Sequence, residues 1–359
     1  MEIITYIGRL LDNPNEIWRD FRREIEFDRY LNTRYDVKFS YEYYTHPKNF
    51  IDFFAKRYII YPFRCHNRAK QSDENAIYQI HFQFLADLAL FLDSKKTIIT
   101  CHDIYNFLQK NTIRNSKFAQ KYALLGLKRC KYIISISEFT KNELILKLKI
   151  PYEKIIVIKN AVNTDMFKPI PEKRINSIDP LYPDYKKVLY VGSEDARKDF
   201  LTLLKAFFLV KKKYKRIKII RVGSSLYPEL IKSLDLENEI VYLKNISNKR
   251  LIEIYNLCDF FVTTSLYEGF GFPGLEAASC GTPVICSDIP IFREIYQDFP
   301  IYFPPKDYKL LAKFIIDNIE NEELIDELRT KGLAIAKKYS WQKYAEQYYK
   351  LVKSIIVNQ

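Results

Sequence analysis

The sequence predicts an α/β protein built from two doubly wound parallel-sheet domains, and three observations carry that expectation. Its 359 residues exceed what one hydrophobic core usually fills, so two domains of roughly 100 to 200 residues are expected. Short apolar runs rich in Ile, Val, Tyr and Phe alternate with amphipathic stretches of helical length, the pattern of parallel strands joined by crossover helices. The runs also divide six and six about one proline-rich stretch.

In chain order, the first six strands are expected at 3–8 (IITYIG), 37–44 (VKFSYEYY), 76–82 (AIYQIHF), 97–102 (TIITCH), 132–137 (YIISIS) and 155–162 (IIVIKNAV). The second six are expected at 187–193 (KVLYVGS), 217–223 (IKIIRVG), 240–245 (IVYLKN), 259–265 (DFFVTTS), 283–288 (PVICSD) and 301–303 (IYF). Between the sets, residues 168–186 contain four prolines and no apolar period, which reads as a linker between domains at 1–167 and 187–339. From about Glu320 the chain reads as two helices, with Ser340 placed to cap the second. Two such domains put the carboxyl ends of their strands around a central cleft, where ligands are expected.

With 48% hydrophobic and 15% aromatic residues, the chain is neither disordered nor fibrous. No run approaches 18 apolar residues, since even Ile80 to Leu92 contains His81, Gln83 and Asp87, so no membrane-spanning helix is expected. The first residues lack the order of a secretory signal, which predicts a cytoplasmic protein. Its six cysteines contain no Cys-x-x-Cys pair and read as buried thiols, neither a disulfide framework nor a zinc site. The net charge is +13, and residues 1–160 hold 27 Lys plus Arg against 18 Asp plus Glu. That bias points to an anionic partner, or to a Lys-rich genomic composition. Nucleic acid is the weakest such partner, because no helix-turn-helix, zinc-finger or RNA-binding aromatic signature accompanies the charge.

Three constellations stand at strand ends. In TSLYEGFGFPGLEAASCGTPVICSD, residues 264–288, a strand runs into Glu268, Gly269, Phe270, Gly271 and Phe272, and Pro273 sits where a helix starts. The glycines free the backbone for close approach to a ligand, and successive N–H groups at a helix start form an anion site. Glu268 and Glu276 can both accept hydrogen bonds from vicinal hydroxyls, or serve only as favourable acids near a helix start. In VGSEDARKDFLTLLKAF, residues 191–207, a strand ends at Gly192 and a helix is expected from about Lys198. Arg197 and Lys198 there oppose the helix dipole unless an anion lies beside them. In TIITCHDIYNF, residues 97–107, His102 opens a loop where a side chain can meet substrate, whereas His81 inside an apolar run reads as a core histidine.

These segments, with ISEFTKNELILKLKIPYEKIIVIKNAVNTDMFKP at 136–169, resemble the retaining glycosyltransferases of family 4, also called glycosyl transferases group 1. The likeness covers nearly the whole chain, and Glu268 with Glu276 matches the family's Glu-x7-Glu signature, followed by its CGTPV at 280–284. It implies the GT-B architecture, two Rossmann-like domains facing a cleft, with the first binding acceptor, the second binding a nucleotide-sugar donor, and the helix 340–359 packed back on the first. It implies further that Arg197 and Lys198 bind the donor diphosphate and that Glu276 holds the ribose hydroxyls. Glu268, with the amides of Gly269, Phe270, Gly271 and Phe272, would hold the donor sugar, and His102 would contact that sugar. The base would lie near Lys244 to Ile246, around Asn245. The sequence departs from the family where Gly8, near the donor phosphate, is followed by Arg9 in place of a second glycine, and where Asn160-Ala161-Val162-Asn163 replaces Asn-Gly-Val-Asp.

No Asp-x-Asp occurs, so a metal held on the diphosphate by paired carboxylates has no candidate and no cofactor is expected beyond the UDP- or GDP-linked donor. Arg197, Lys198 and the amides before Pro273 would then meet the charge growing on the leaving diphosphate. Retention without an enzymic nucleophile implies acceptor attack on the face the diphosphate leaves, a phosphate oxygen taking the proton. A two-carboxylate glycosidase is the rival reading of the glutamates, and a non-catalytic nucleotide-sugar-binding shell is the rival to catalysis. The acceptor is expected to be a hydroxyl on a glycan or lipid-linked carrier. Residues 53–70 interleave aromatics with Lys56, Arg57, Arg64, Arg68 and Lys70, as a segment docking on anionic headgroups would, which makes the chain a candidate peripheral protein of the inner membrane face. An ordinary solvated helix accounts for the same pattern.

Overall fold

The computed structural model describes residues 1–9, 19–44, 48–108, 117–171, 181–193, 195–224 and 227–358. It contains two compact units, residues 1–160 with 342–359, and residues 161–341. Of the stretch expected as a linker, 172–180 lie outside the described residues.

All twelve expected strands form. In the first unit these are β1 (Glu2–Arg9), β2 (Lys38–Tyr44), β3 (Ile77–Ile80), β4 (Thr97–Cys101), β5 (Tyr132–Ser135) and β6 (Ile155–Val157), in spatial order β2-β1-β3-β4-β5-β6. Every pairing is parallel. Central strands such as Ile77–Ile80 and Thr97–Cys101 are buried throughout, as parallel strands covered by helices on both faces must be. That is why they read as unbroken apolar runs. Ile80, Ile99 and Ile133 of neighbouring strands share a core with Leu127 and Leu144 of the following helices. His81 is buried too, its Nε2 lying 3.7 Å from Asp28.

The last helix, Trp341–Val357, belongs to this first unit. Its tyrosines hold it there: Tyr344 packs edge-on against Phe27 at 4.5 Å and Tyr349 stacks on Tyr35 at 4.4 Å. The Tyr348 hydroxyl donates to Gln79 Oε1 at 3.0 Å, and Gln79 donates in turn to Thr100 at 2.8 Å. Buried polar groups on β3 and β4 are thereby satisfied from a helix more than 200 residues away in sequence.

The second unit holds β7 (Lys186–Val191), β8 (Ile217–Val222), β9 (Ile240–Leu243), β10 (Phe260–Thr263), β11 (Val284–Ser287) and β12 (Ile301–Phe303), ordered β12-β11-β10-β7-β8-β9 and all parallel. The chain winds one way through β7, β8 and β9, then returns to the centre and winds the other way from β10. The reversal lies between β7 and β10, the switch point at which open α/β sheets bind ligands beyond the strands' carboxyl ends.

The basic stretch 53–70 forms one continuous helical path: helix Phe50–Ala55, a wide π turn at Lys56–Ile60, then helix Tyr61–Lys70. Four of its five cations pair with acids of the same unit, and Lys70 is exposed. Arg57 is buried, donating to both oxygens of Asp87 at 2.9 and 2.5 Å and to the Phe84 carbonyl at 3.1 Å. Arg68 pairs with Glu2 at 3.0 Å, Arg64 with Glu42 at 3.1 Å, and Lys56 with Asp52 one turn earlier at 2.8 Å. Arg57 therefore faces the core and presents no charge to a headgroup, a correction to the docking pattern expected from sequence. Six cysteines, Cys65, Cys101, Cys130, Cys258, Cys280 and Cys286, are all free and buried.

A candidate donor site at the switch point of the second sheet

The loops that leave β7 and β10 are tied together. After β7, Asp195 accepts a hydrogen bond from the Arg197 amide and opens a short 3-10 turn, Ala196–Lys198. Asp199 then takes a left-handed conformation (φ 45°), and only from Phe200 does the helix to Lys213 begin. The helix expected from about Lys198 thus starts two residues later. After β10, the Leu266 amide donates to the Arg197 carbonyl at 2.7 Å, and the Thr264 hydroxyl lies 2.9 and 2.8 Å from the carbonyls of Lys198 and Asp199. The Tyr190 hydroxyl, from β7 itself, also donates to the Lys198 carbonyl, at 2.7 Å.

This stitching puts Arg197 and Lys198 against Glu268. Lys198 donates to Glu268 Oε1, Arg197 Nη1 lies 3.3 Å from Oε2, and the Ser265 hydroxyl donates to Oε1 at 2.8 Å. Arg197 is steadied by Asp195 at 3.3 Å and by the Tyr267 carbonyl at 3.3 Å. Burial by itself pushes the Glu268 carboxyl up, but the adjoining Lys198 and Arg197, with Ser265, outweigh it and hold the group below the usual carboxylate range. Glu268 is thus a buried carboxylate facing two cations. The helix entrance with two cations requires an anion by the dipole argument, and in this structure Glu268 supplies one.

The helix Phe272–Ser279 follows, with Pro273 in its first turn and Gly271 as its N-cap. Gly271 is left-handed (φ 91°), and a Cβ there would sit 2.4 Å from the Tyr296 hydroxyl. That hydroxyl donates to the Gly271 carbonyl, so a buried tyrosine from another helix fixes the turn that aims the first amides. The N-cap of the Phe272–Ser279 helix, a glycine, has no side chain of its own to cap the turn. Phe270 is buried, with its ring against Phe272 at 5.0 Å and Tyr339 at 5.7 Å. The Phe270 ring is therefore a packing group.

Glu276 stands one turn inside, buried, accepting from the Tyr255 hydroxyl at 2.9 Å. Asn245, exposed and left-handed (φ 52°), lies just beyond β9. The structure thus brings Arg197, Lys198 and Glu268 into one cluster, with Glu276 on the following helix. Gly8 and His102 belong to the first unit. Gly8 pairs with Tyr43 at a register shift in β1. The His102 ring stacks on Phe82 at 5.0 Å and its Nε2 lies 2.9 Å from the His81 carbonyl, which can only accept and so places the proton on Nε2. Ser265, Tyr255, Tyr296 and Asp195 were not picked out from the sequence. Nothing local marks Tyr255, whose partner is 21 residues ahead.

Two family models match this chain, "Glycosyltransferase Family 4" over residues 22–166 and "Glycosyl transferases group 1" over 172–338. The chain belongs to glycosyltransferase family 4. Among its relatives in this family is the O-antigen chain mannosyltransferase B of Escherichia coli, 28% identical over 269 residues, 70% of this chain and 69% of that protein. The O-antigen chain mannosyltransferase RfbU of Salmonella typhimurium is 29% identical over 62% of this chain and 60% of its own length. The matched part spans only 32% of the serotype-specific mannosyltransferase WbdA of Escherichia coli, at 28% identity. Among solved structures, sucrose-phosphate synthase of Thermosynechococcus elongatus has a TM-score of 0.79 at 16% identity, covering 100% of both chains. Anabaena HepE in complex with UDP-glucose scores 0.77 at 18% identity, over 99% of this chain and 100% of that one. The family 4 chain accordingly has the GT-B fold, two Rossmann-like parallel-sheet domains, and is a glycosyltransferase.

Proposed function

We propose that this glycosyltransferase moves a hexosyl group, mannosyl first among candidates, from a nucleotide-diphosphate sugar to a glycan or lipid-linked hydroxyl with retention of configuration. The observation that carries the reading is the Arg197–Lys198–Glu268 cluster at the β7/β10 switch point, beside the start of the Phe272–Ser279 helix, whose N-cap is Gly271. The mannosyltransferase relatives support the sugar, and the UDP-glucose complex of HepE supports a nucleotide-sugar donor.

In this reading the donor diphosphate enters beside Arg197 and Lys198. As the β-phosphate leaves it gains negative charge, and these two cations and the amides before Pro273 stabilise that charge more than they stabilise the ground state. Each charge-assisted hydrogen bond is worth about 1.5–3 kcal/mol. Glu268, held ionised, accepts hydroxyl groups of the sugar and offsets the cations until the donor arrives. Glu276, oriented by Tyr255, accepts the ribose hydroxyls. The acceptor oxygen attacks from the face the diphosphate leaves, and a phosphate oxygen takes its proton.

The test is thermal unfolding with UDP, GDP, ADP and their sugars, beside Glu276→Ala and Arg197→Ala, followed by NMR of the product's anomeric centre. A ligand at 100 times its Kd stabilises by about 2.7 kcal/mol. A shift with one base, lost in both variants, and a retained configuration are expected. No shift with any nucleotide, or an inverted product, overturns the reading.

A further inference from the structure

The first unit carries nearly all of the large apolar side chains that the chain leaves exposed. Among the described residues, only Tyr182 and Tyr227 of that class lie in the second unit. Along the helical path 50–70, two stripes run at four-residue spacing. Arg57, Tyr61 and Cys65 face inward and are buried, whereas Ile51, Ile59 and Phe63 face outward, 79%, 61% and 64% exposed. On a straight α-helix such stripes drift by about 40° per step. The π turn at Lys56–Ile60 takes part of that drift back, because its turn is wider. The outward stripe therefore stays on one side, while Arg57 is anchored by Asp87 beneath.

The exposed face continues onto a second helix. Phe118 of the Lys117–Arg129 helix meets Phe54 at 6.2 Å and Tyr58 at 5.8 Å, and lies tilted against Tyr122 at 4.3 Å. This helix is pressed onto the unit through Gly126, where a Cβ would lie 1.8 Å from the Ala86 carbonyl oxygen. The side away from Gly126 is exposed and mixes Phe118, Tyr122 and Leu125 with Lys117, Lys121, Lys128 and Arg129. The helix contains no acidic residue. Aromatic and aliphatic side chains interleaved with unopposed cations are the composition of surfaces that bury apolar groups at the boundary of an anionic bilayer.

We infer that the face formed by Ile51, Ile59, Phe63, Phe118 and Tyr122, rimmed by Lys117 and Lys121, docks on an anionic lipid bilayer. The positive excess of residues 1–160, 27 basic against 18 acidic, lies in the same unit and supplies the charge complementarity. Four of the five cations expected from sequence, Arg57 and Arg68 above all, are already paired internally, so the docking charge moves to the Lys117–Arg129 helix and the insertion to the outward stripe. This goes beyond the donor chemistry and does not depend on it.

Co-sedimentation with vesicles tests it: phosphatidylglycerol mixed with phosphatidylethanolamine against pure phosphatidylcholine, without donor, at about 50 and about 500 mM salt. Binding to the anionic vesicles alone, weakened by salt, is expected. Reversing Lys117 and Lys121 (K117E/K121E) should lower the partition at least tenfold, since each basic residue near the surface contributes about fivefold. I59S/F63S should lower it comparably, and reversal of the exposed Lys309 of the second unit (K309E) should leave it within twofold. Unchanged melting temperatures and unchanged nucleotide-induced shifts in these variants separate the outcome from that of the donor site. No binding to anionic vesicles at low salt overturns the inference, as does equal binding by I59S/F63S. A concentration-dependent dimer lost in I59S/F63S, with no vesicle binding, overturns it in favour of a second copy of the chain.

Discussion

Replacing Lys198 by methionine removes one of two cations facing a buried carboxylate. Glu268 keeps Ser265 at 2.8 Å and Arg197 at 3.3 Å, so its charge is not stranded. Breaking a buried pair outright costs about 3–5 kcal/mol; with Arg197 still present, roughly half of that, about 2 kcal/mol, is expected. At about 2–4 °C per kcal/mol for a chain of this size, Lys198→Met should melt about 4–8 °C lower. Glu268→Gln strands no carboxylate, but it removes the anion that Lys198 faces and leaves Arg197 only Asp195, and should cost about 1–2 kcal/mol. The double variant should then lose less than the sum of the two, with a coupling of about 1–3 kcal/mol. The assay is thermal unfolding of all four proteins, with and without the nucleotide that stabilises wild type. The nucleotide-induced shift should vanish in Lys198→Met and survive in Glu268→Gln, where the cations remain. Additive losses in the cycle, or a full nucleotide shift in Lys198→Met, would refute the reasoning that Glu268 occupies the charge the donor later takes.

Three further outcomes follow from the same contacts. Glu268 is held below its ordinary value, so the stability it contributes is present above the unfolded carboxylate range near pH ~4.3 and is lost as pH falls through its lowered folded-state value. Thermal scans at descending pH should show a shallower acid limb in Glu268→Gln. Gly126→Ala forces a carbon onto a backbone carbonyl, and the Lys117–Arg129 helix must lift; the loss should exceed the ~1–3 kcal/mol of ordinary overpacking, read as a fall in melting temperature. Tyr255→Phe removes the hydrogen bond that orients Glu276 and should raise the nucleotide Kd about tenfold, by titration, without the collapse that Glu276→Ala brings.

Much of the architecture was legible because parallel strands are buried on both faces and advertise themselves as apolar runs; all twelve form where expected. The motif around Glu268 and Glu276 was legible through its whole local sequence, residues 264–288, which resembles the family signature. What the sequence did not carry is who faces whom across the fold. Arg197 and Lys198 signalled a missing anion, and a carboxylate 70 residues away meets part of that need. Arg57 read as a surface cation because Asp87 lies 30 residues downstream. The outward stripe of Ile51, Ile59 and Phe63 depends on a π turn that no residue pattern marks.

The cysteines divide evenly: Cys65, Cys101 and Cys130 lie in the first unit, Cys258, Cys280 and Cys286 in the second. Burial pushes every one of these thiols up, Cys130 to about 12, so none is a nucleophile while its unit is intact. Each sheet therefore carries its own silent chemical clock. Under an excess of a chromogenic disulfide reagent, the colour released counts opening events, three equivalents for each unit. Loss of one unit ahead of the other would appear as a plateau at three equivalents, and concerted loss as a single rise to six.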